Sequence, residues 1–138
     1  MKKREQVSAI MTKDVLTIDI SKPLHEVNEI FAKHTFRHLP VLSGKELVGI
    51  ISQTDILRIS FGNTFGEGQE GADQAIFDML SINQVMKNNP IIIGQNQTIR
   101  EAAEIFATHE FHALPVLSEA KVVGILTTTD IIKYFLTL

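Results

Sequence analysis

The sequence predicts a mixed α/β (α+β) fold in which two β-α-β-β-α repeats pair face to face across one core. Two observations carry this. Residues 10–57 match residues 85–132 at a constant offset of 75 without a gap, and each copy shows the same succession of β-rich runs and amphipathic stripes. Ile30-Phe31-Ala32 recurs as Ile105-Phe106-Ala107, Leu39-Pro40-Val41-Leu42-Ser43 as Leu114-Pro115-Val116-Leu117-Ser118, and Thr54-Asp55-Ile56 as Thr129-Asp130-Ile131. Two copies are too few for a solenoid. A unit of about 50 residues is marginal alone, so pairing the copies is the economical way to bury both apolar faces.

Within a copy, Val15-Leu16-Thr17-Ile18 and Pro90-Ile91-Ile92-Ile93 are β-rich and predict short strands. A helix follows each. Pro23 opens the first, and Thr98-Ile99-Arg100-Glu101 has capping-box spacing for the second. Leu24, Val27, Ile30, Phe31 and His34 then fall at helical spacing, as do Ile99, Ala102, Ile105, Phe106 and His109. Phe31, Phe106 and the Leu-Pro-Val segments are expected in the core. Leu39–Leu42 and Leu47–Ile51, split by Ser43-Gly44-Lys45-Glu46, predict a β-hairpin, and Ser118-Glu119-Ala120-Lys121 its twin. A closing helix starts near Asp55 in one copy and near Asp130 in the other.

Between the copies, Gly62, Gly66, Gly68 and Gly71 mark a flexible connector. The predicted organisation is repeat 1 over 1–60, a Gly-rich linker over 61–72 and repeat 2 over 73–138, with helix resuming over 72–86. A phosphate loop is not favoured, because no Gly-Lys-Ser/Thr ending follows and no strand leads directly in.

Composition narrows the function classes. The chain has 44% apolar and 21% charged residues and no cysteine, which describes a globular protein without disulfides, thiolate metal sites or Cys nucleophiles. A formal charge of -3 and the lack of a basic stripe with aromatics argue against nucleic-acid binding. Lys2-Lys3-Arg4 is followed by Glu5-Gln6 rather than an apolar stretch, and no apolar run approaches the ~18 residues of a membrane span. A cytoplasmic protein without a membrane partner is expected.

The segments that could carry chemistry are Gly49-Ile50-Ile51-Ser52-Gln53-Thr54-Asp55 and Gly124-Ile125-Leu126-Thr127-Thr128-Thr129-Asp130. Both read Gly-x-x-[Ser/Thr]-x-x-Asp at a strand-to-helix junction, where backbone N–H groups and the helix dipole favour an anion. The carboxylate could accept two hydrogen bonds from a vicinal diol such as ribose. The same pattern is also close to a capping box, which requires no ligand. His34 and His38, like His109 and His112, invite a metal reading, but His34 and His109 fall at helix C-terminal ends, where the dipole favours such a ring, and no carboxylate accompanies them locally. No nucleophile is paired with a base, so catalysis is not expected.

Ile10-Met11-Thr12, Arg37-His38-Leu39-Pro40-Val41 and the Gly-x-x-[Ser/Thr]-x-x-Asp ending, in this order and in two copies, resemble the CBS-domain family over nearly the whole chain. The resemblance implies a pseudo-twofold pair with two clefts that in many members hold AMP, ADP or ATP, and in some S-adenosylmethionine, NAD or a cyclic dinucleotide. It implies ribose binding by Asp55 with Ser52 and by Asp130 with Thr127. Adenine would be held by Thr12, Thr17 and Phe36 opposite Asp130, and by Lys87, Ile92 and Phe111 opposite Asp55. Phosphates would meet Arg37, His38 and His112. The second copy departs from the pattern with Lys87 at the place of Thr12 and Ala113 at that of His38, which favours the Asp130 site. Homodimers of such pairs are common in the family, and with no effector domain recognised the output is expected in a partner protein, in self-association or in a larger assembly. The alternative is a non-catalytic assembly module with vestigial clefts.

Overall fold

The computed structural model describes residues 4–61 and 70–138, with the backbone alone for residues 60–61 and 70–74. In chain order a 3-10 turn, Val7–Ala9, precedes β1 (Thr12–Lys13), β2 (Ile18–Asp19), α1 (Leu24–Lys33), β3 (His38–Ser43), β4 (Glu46–Ser52) and α2 (Gln53–Phe61). Then follow α3 (Glu70–Met79), α4 (Ile82–Val85), β5 (Lys87–Asn88), β6 (Ile93–Gly94), α5 (Ile99–Thr108), β7 (Ala113–Ser118), β8 (Lys121–Thr127) and α6 (Thr128–Leu136). Residues 62–69 of the glycine-rich connector lie outside the described residues, while Gly71 already belongs to α3.

Two four-stranded sheets form, ordered β2-β3-β4-β5 and β1-β8-β7-β6. Each contains a parallel pair joined by a crossover helix, a hairpin, and an antiparallel edge strand. That edge strand is borrowed. β1 comes from the first repeat and pairs with β8 of the second, Thr12 facing Ile125 and Lys13 facing Gly124, while β5 pairs with β4, Lys87 facing Ile50. The compact units are accordingly Leu16–Asn89, and the N-terminal segment through Val15 together with Pro90–Leu138.

In the Leu16–Asn89 unit, Leu24, Val27 and Phe31 of α1 bury against Leu39, Val41 and Ile51 of the hairpin, with Ile56, Phe77, Ile82 and Met86 closing the cluster. Each fully buried Leu, Ile or Phe contributes roughly 1.5–3 kcal/mol. In the second unit Val7, Ile93, Ala102, Leu114, Val116 and Leu126 form the cluster. Thr98 caps α5 in the expected box, its hydroxyl accepting from the Glu101 N–H at 3.0 Å. Ser81 caps α4 likewise.

Four sequence expectations need correction. The helix expected over 72–86 is two helices, α3 and α4, broken at Leu80–Ser81 where Ser81 caps the second. The strands predicted over Val15–Ile18 and Pro90–Ile93 are shorter: only Ile18–Asp19 and Ile93–Gly94 pair. Asp14 and Asn89 adopt positive φ, 55° and 48°, so the chain turns there and reaches the next ladder only at Ile18 and Ile93. Leu16, Ile91 and Ile92 therefore remain exposed. Phe106, expected in the core, is half-buried. Its counterpart Phe31 is buried in a unit where α3 packs on α1 and α2.

The two hairpins turn differently. Gly44 takes the left-handed conformation at φ 63° in the first, where Asp19 accepts from its N–H at 3.1 Å and from the N–H and hydroxyl of Ser21. These bonds hold the Asp19 carboxyl below the usual carboxylate range, the Ser21 hydroxyl contributing most. In the second hairpin Glu119 and Ala120 both have positive φ without a glycine, which is the backbone of a tight hairpin turn carried by residues that adopt it at a cost.

Candidate ligand-binding site

Both strand-to-helix junctions are built alike. Thr127, the N-cap of α6, has an extended backbone, its hydroxyl accepts from the Asp130 N–H at 3.1 Å, and Asp130 Oδ2 accepts from the Thr127 N–H at 2.9 Å. Ser52 and Asp55 repeat this at 3.1 and 2.9 Å. The capping reading of the motif is therefore true of both copies. It does not exhaust either carboxylate, because a carboxylate has about four acceptor positions and the cap uses Oδ2. Among the described residues Oδ1 of Asp130 has no partner, and the Thr127 hydroxyl, which accepts in the cap, has no acceptor for its own proton. A hydrogen-bond donor and an anionic acceptor thus stand together at the positive end of a nine-residue helix.

The first N–H of each helix is met by the main chain of the segment before the hairpin. Thr128 N–H donates to the His112 carbonyl at 3.0 Å, and Gln53 N–H to the Arg37 carbonyl at 2.8 Å. This ties Phe111 and His112 to the Asp130 helix, and Phe36, Arg37 and His38 to the Asp55 helix. His38 also faces Ser52 across the β3–β4 ladder. Phe36 packs edge-on to Phe31 at 6.2 Å and stacks on His34 at 5.0 Å. Phe111 is likewise edge-on to Phe106 at 6.1 Å, and lies 5.1 Å from His109 with the rings tilted by 36°. The His109 ring reaches back to the Ile105 carbonyl at 2.9 Å, finishing α5. Among the described residues no group of three or more His, Asp or Glu is placed to hold a metal ion.

The edge strands complete the sets. Exposed Thr12 lies on β1 beside the strand that leads into Asp130, and exposed Lys87 lies on β5 beside the strand that leads into Asp55. Thr12, Phe111, His112, Thr127 and Asp130 belong to one unit, and Phe36, Arg37, His38, Ser52, Asp55 and Lys87 to the other, so Phe36 shares a unit with Asp55 and Phe111 with Asp130. Thr17 belongs to the unit of Asp55 and Ile92 to that of Asp130; both are exposed and lie outside the strands.

The glycine of each motif has a local cause. A Cβ on Gly124 would sit 2.8 Å from the Thr12 carbonyl oxygen and 2.7 Å from the Met11 sulfur, and one on Gly49 would overlap the Met86 sulfur and lie 2.9 Å from the Lys87 carbonyl oxygen. Glycine is what lets the edge strand lie against the hairpin. Sequence reasoning singled out this glycine with the motif but not Met11 and Met86 as the groups seated on it. It also missed Arg58, one turn beyond Asp55, whose Nη1 lies 3.6 Å from Asp55 Oδ1. The signal available was only its i+3 spacing.

No helix among the described residues is long and apolar enough to cross a membrane. Comparison with known proteins places the whole arrangement. Protein MJ1225 of Methanocaldococcus jannaschii is 32% identical over 133 residues, covering 95% of this chain and 47% of that protein. An inosine-5'-monophosphate dehydrogenase of Korarchaeum cryptofilum is 26% identical, covering 92% of this chain and 24% of the enzyme. The chain thus spans about half or less of these relatives. The crystal structure of MJ1225 superposes with a TM-score of 0.80 at 31% identity, over 98% of this chain and 49% of that one. The CBS domain pair of protein MJ0100, in complex with 5'-methylthioadenosine and S-adenosyl-L-methionine, superposes with a TM-score of 0.78 at 25% identity over 96% of both chains. The CBS domain model matches residues 7–62 and again residues 82–137, so the chain belongs to the CBS domain family as a tandem pair.

Proposed function

We propose that this chain is a regulatory binding module for an adenine nucleotide, AMP, ADP or ATP, and that Asp130 with Thr127 receives the ribose hydroxyls. The observation that carries the reading is that, among the described residues, Oδ1 of Asp130 has no partner and the neighbouring Thr127 hydroxyl no acceptor, at a helix N-terminus. Ribose hydroxyls, each a donor and an acceptor, can use that acceptor and that donor together. Support also comes from the MJ0100 pair, whose two ligands share an adenosine moiety. In this reading Thr12, on the edge strand paired with β8, meets the base, and His112, whose carbonyl accepts the first N–H of α6, serves an anionic group. The residues bind and orient. Output passes through self-association or an effector protein, since a ligand shifts an equilibrium only by its differential affinity for two states.

A second reading is favoured by the two intact capping boxes: an assembly module whose aspartates only finish helices. Thermal melting with AMP separates the two. At a ligand concentration 100 times Kd the binding module gains about 2.7 kcal/mol of stability. An assembly module shows no shift with millimolar AMP, ADP or ATP.

A further inference from the structure

The two capping boxes share their 2.9 and 3.1 Å bonds, yet the oxygens they leave over differ. Oδ1 of Asp130 has no partner among the described residues, and Lys133, the counterpart of Arg58, forms no ion pair with it. Oδ1 of Asp55 faces the Arg58 guanidinium at 3.6 Å, in a side chain only 5% exposed, whereas the Arg58 side chain is 72% exposed. The guanidinium is thus the charged group beside the oxygen that the cap of Asp55 leaves over. We propose that Arg58 is a specificity-determining residue that closes the Asp55 site against neutral diols and leaves the Asp130 site as the open one.

The reason is chemical. A planar guanidinium matches a carboxylate edge, whereas an ammonium is a hydrated point charge on a flexible stem. A neutral nucleoside reaching Asp55 must displace Arg58 and offers it nothing in return. A nucleoside carrying a phosphate supplies a new partner for the displaced guanidinium, as it does for exposed Arg37, whose carbonyl receives the first N–H of α2. The Asp55 site should therefore discriminate for charged ligands, and the Asp130 site should accept adenosine itself. An exposed Arg58 moves without disturbing the core, which makes the closure reversible.

This inference rests on the ribose-binding reading above, and the test separates the two. Adenosine affinity is measured by calorimetry in an Asp130→Ala background, where the Asp55 site alone remains. Adding Arg58→Gln is expected to raise that affinity about two- to fivefold, the range in which an exposed ion pair acts. Arg58→Lys, which copies Lys133, moves it in the same direction. In an Asp55→Ala background Arg58→Gln changes nothing. Unchanged affinity in the first background, or an equal rise in both, overturns the role of Arg58 while leaving ribose binding intact. Failure of the wild-type chain to bind adenosine and AMP overturns both.

Discussion

Replacing Gly124 with alanine is expected to destabilise the chain by about 1–3 kcal/mol, the range for forcing an extra methyl into a packed position, and to weaken nucleotide binding as well. The new Cβ would lie 2.8 Å from the Thr12 carbonyl oxygen. A side chain such as Met11 could rotate aside, but the backbone of β1 can only move away. β1 has two residues, Thr12 and Lys13, paired to Ile125 and Gly124. So short a strand has no reserve of ladder bonds. Its displacement carries Thr12 away from the Asp130 helix, linking a packing defect to a binding defect. Amide exchange of Thr12 and Lys13 should accelerate relative to β7 and the interior of β8, and thermal melting should report the stability change. A variant with wild-type melting and unchanged protection at Thr12 would show that the motif glycine is not there for the edge strand.

Asp130→Ala is expected to act on two independent readouts. The unliganded protein loses the reciprocal cap of α6 and about 1 kcal/mol of stability. Nucleotide affinity falls roughly ten- to hundredfold, as follows from losing a charged acceptor worth about 1.5–3 kcal/mol. The capping bond uses Oδ2 and the proposed ligand bond Oδ1, so the same side chain serves both ends. An assembly module predicts the first effect without the second. Calorimetry on the folded variant decides, since the cap loss is uniform across ligands and the affinity loss is confined to those with a ribose diol.

Much of this arrangement was legible in the sequence, for reasons that can be named. The hairpins were, because Leu39–Leu42 and Leu47–Ile51 flank a turn segment, and β3 and β4 pair as expected. The helices were, because Leu24, Val27 and Phe31 recur at helical spacing and do bury. The strand-to-helix junctions carried their capping chemistry in four letters. The edge strands were not legible: Thr12–Lys13 and Lys87–Asn88 are too short for any periodicity and pair with the other repeat's hairpin. The β-rich run Pro90–Ile93 misled for the opposite reason, since apolar content promised a ladder that the turn at Asn89 delays. Half-burial of Phe106 beside full burial of its counterpart Phe31 is a tertiary fact with no local signal. Arg58 was hidden because an Arg one turn after an Asp is ordinary on any helix.

The central claim is that a capping carboxylate keeps one oxygen for a sugar diol, and the most direct measurement removes the diol rather than the protein group. Calorimetric titration of the wild-type chain with adenosine and with 2',3'-dideoxyadenosine compares ligands of the same base. The account predicts saturable binding of adenosine and affinity for the dideoxy compound lower by about tenfold or more, the cost of leaving a charged acceptor unmet. Equal affinities for the two would contradict it.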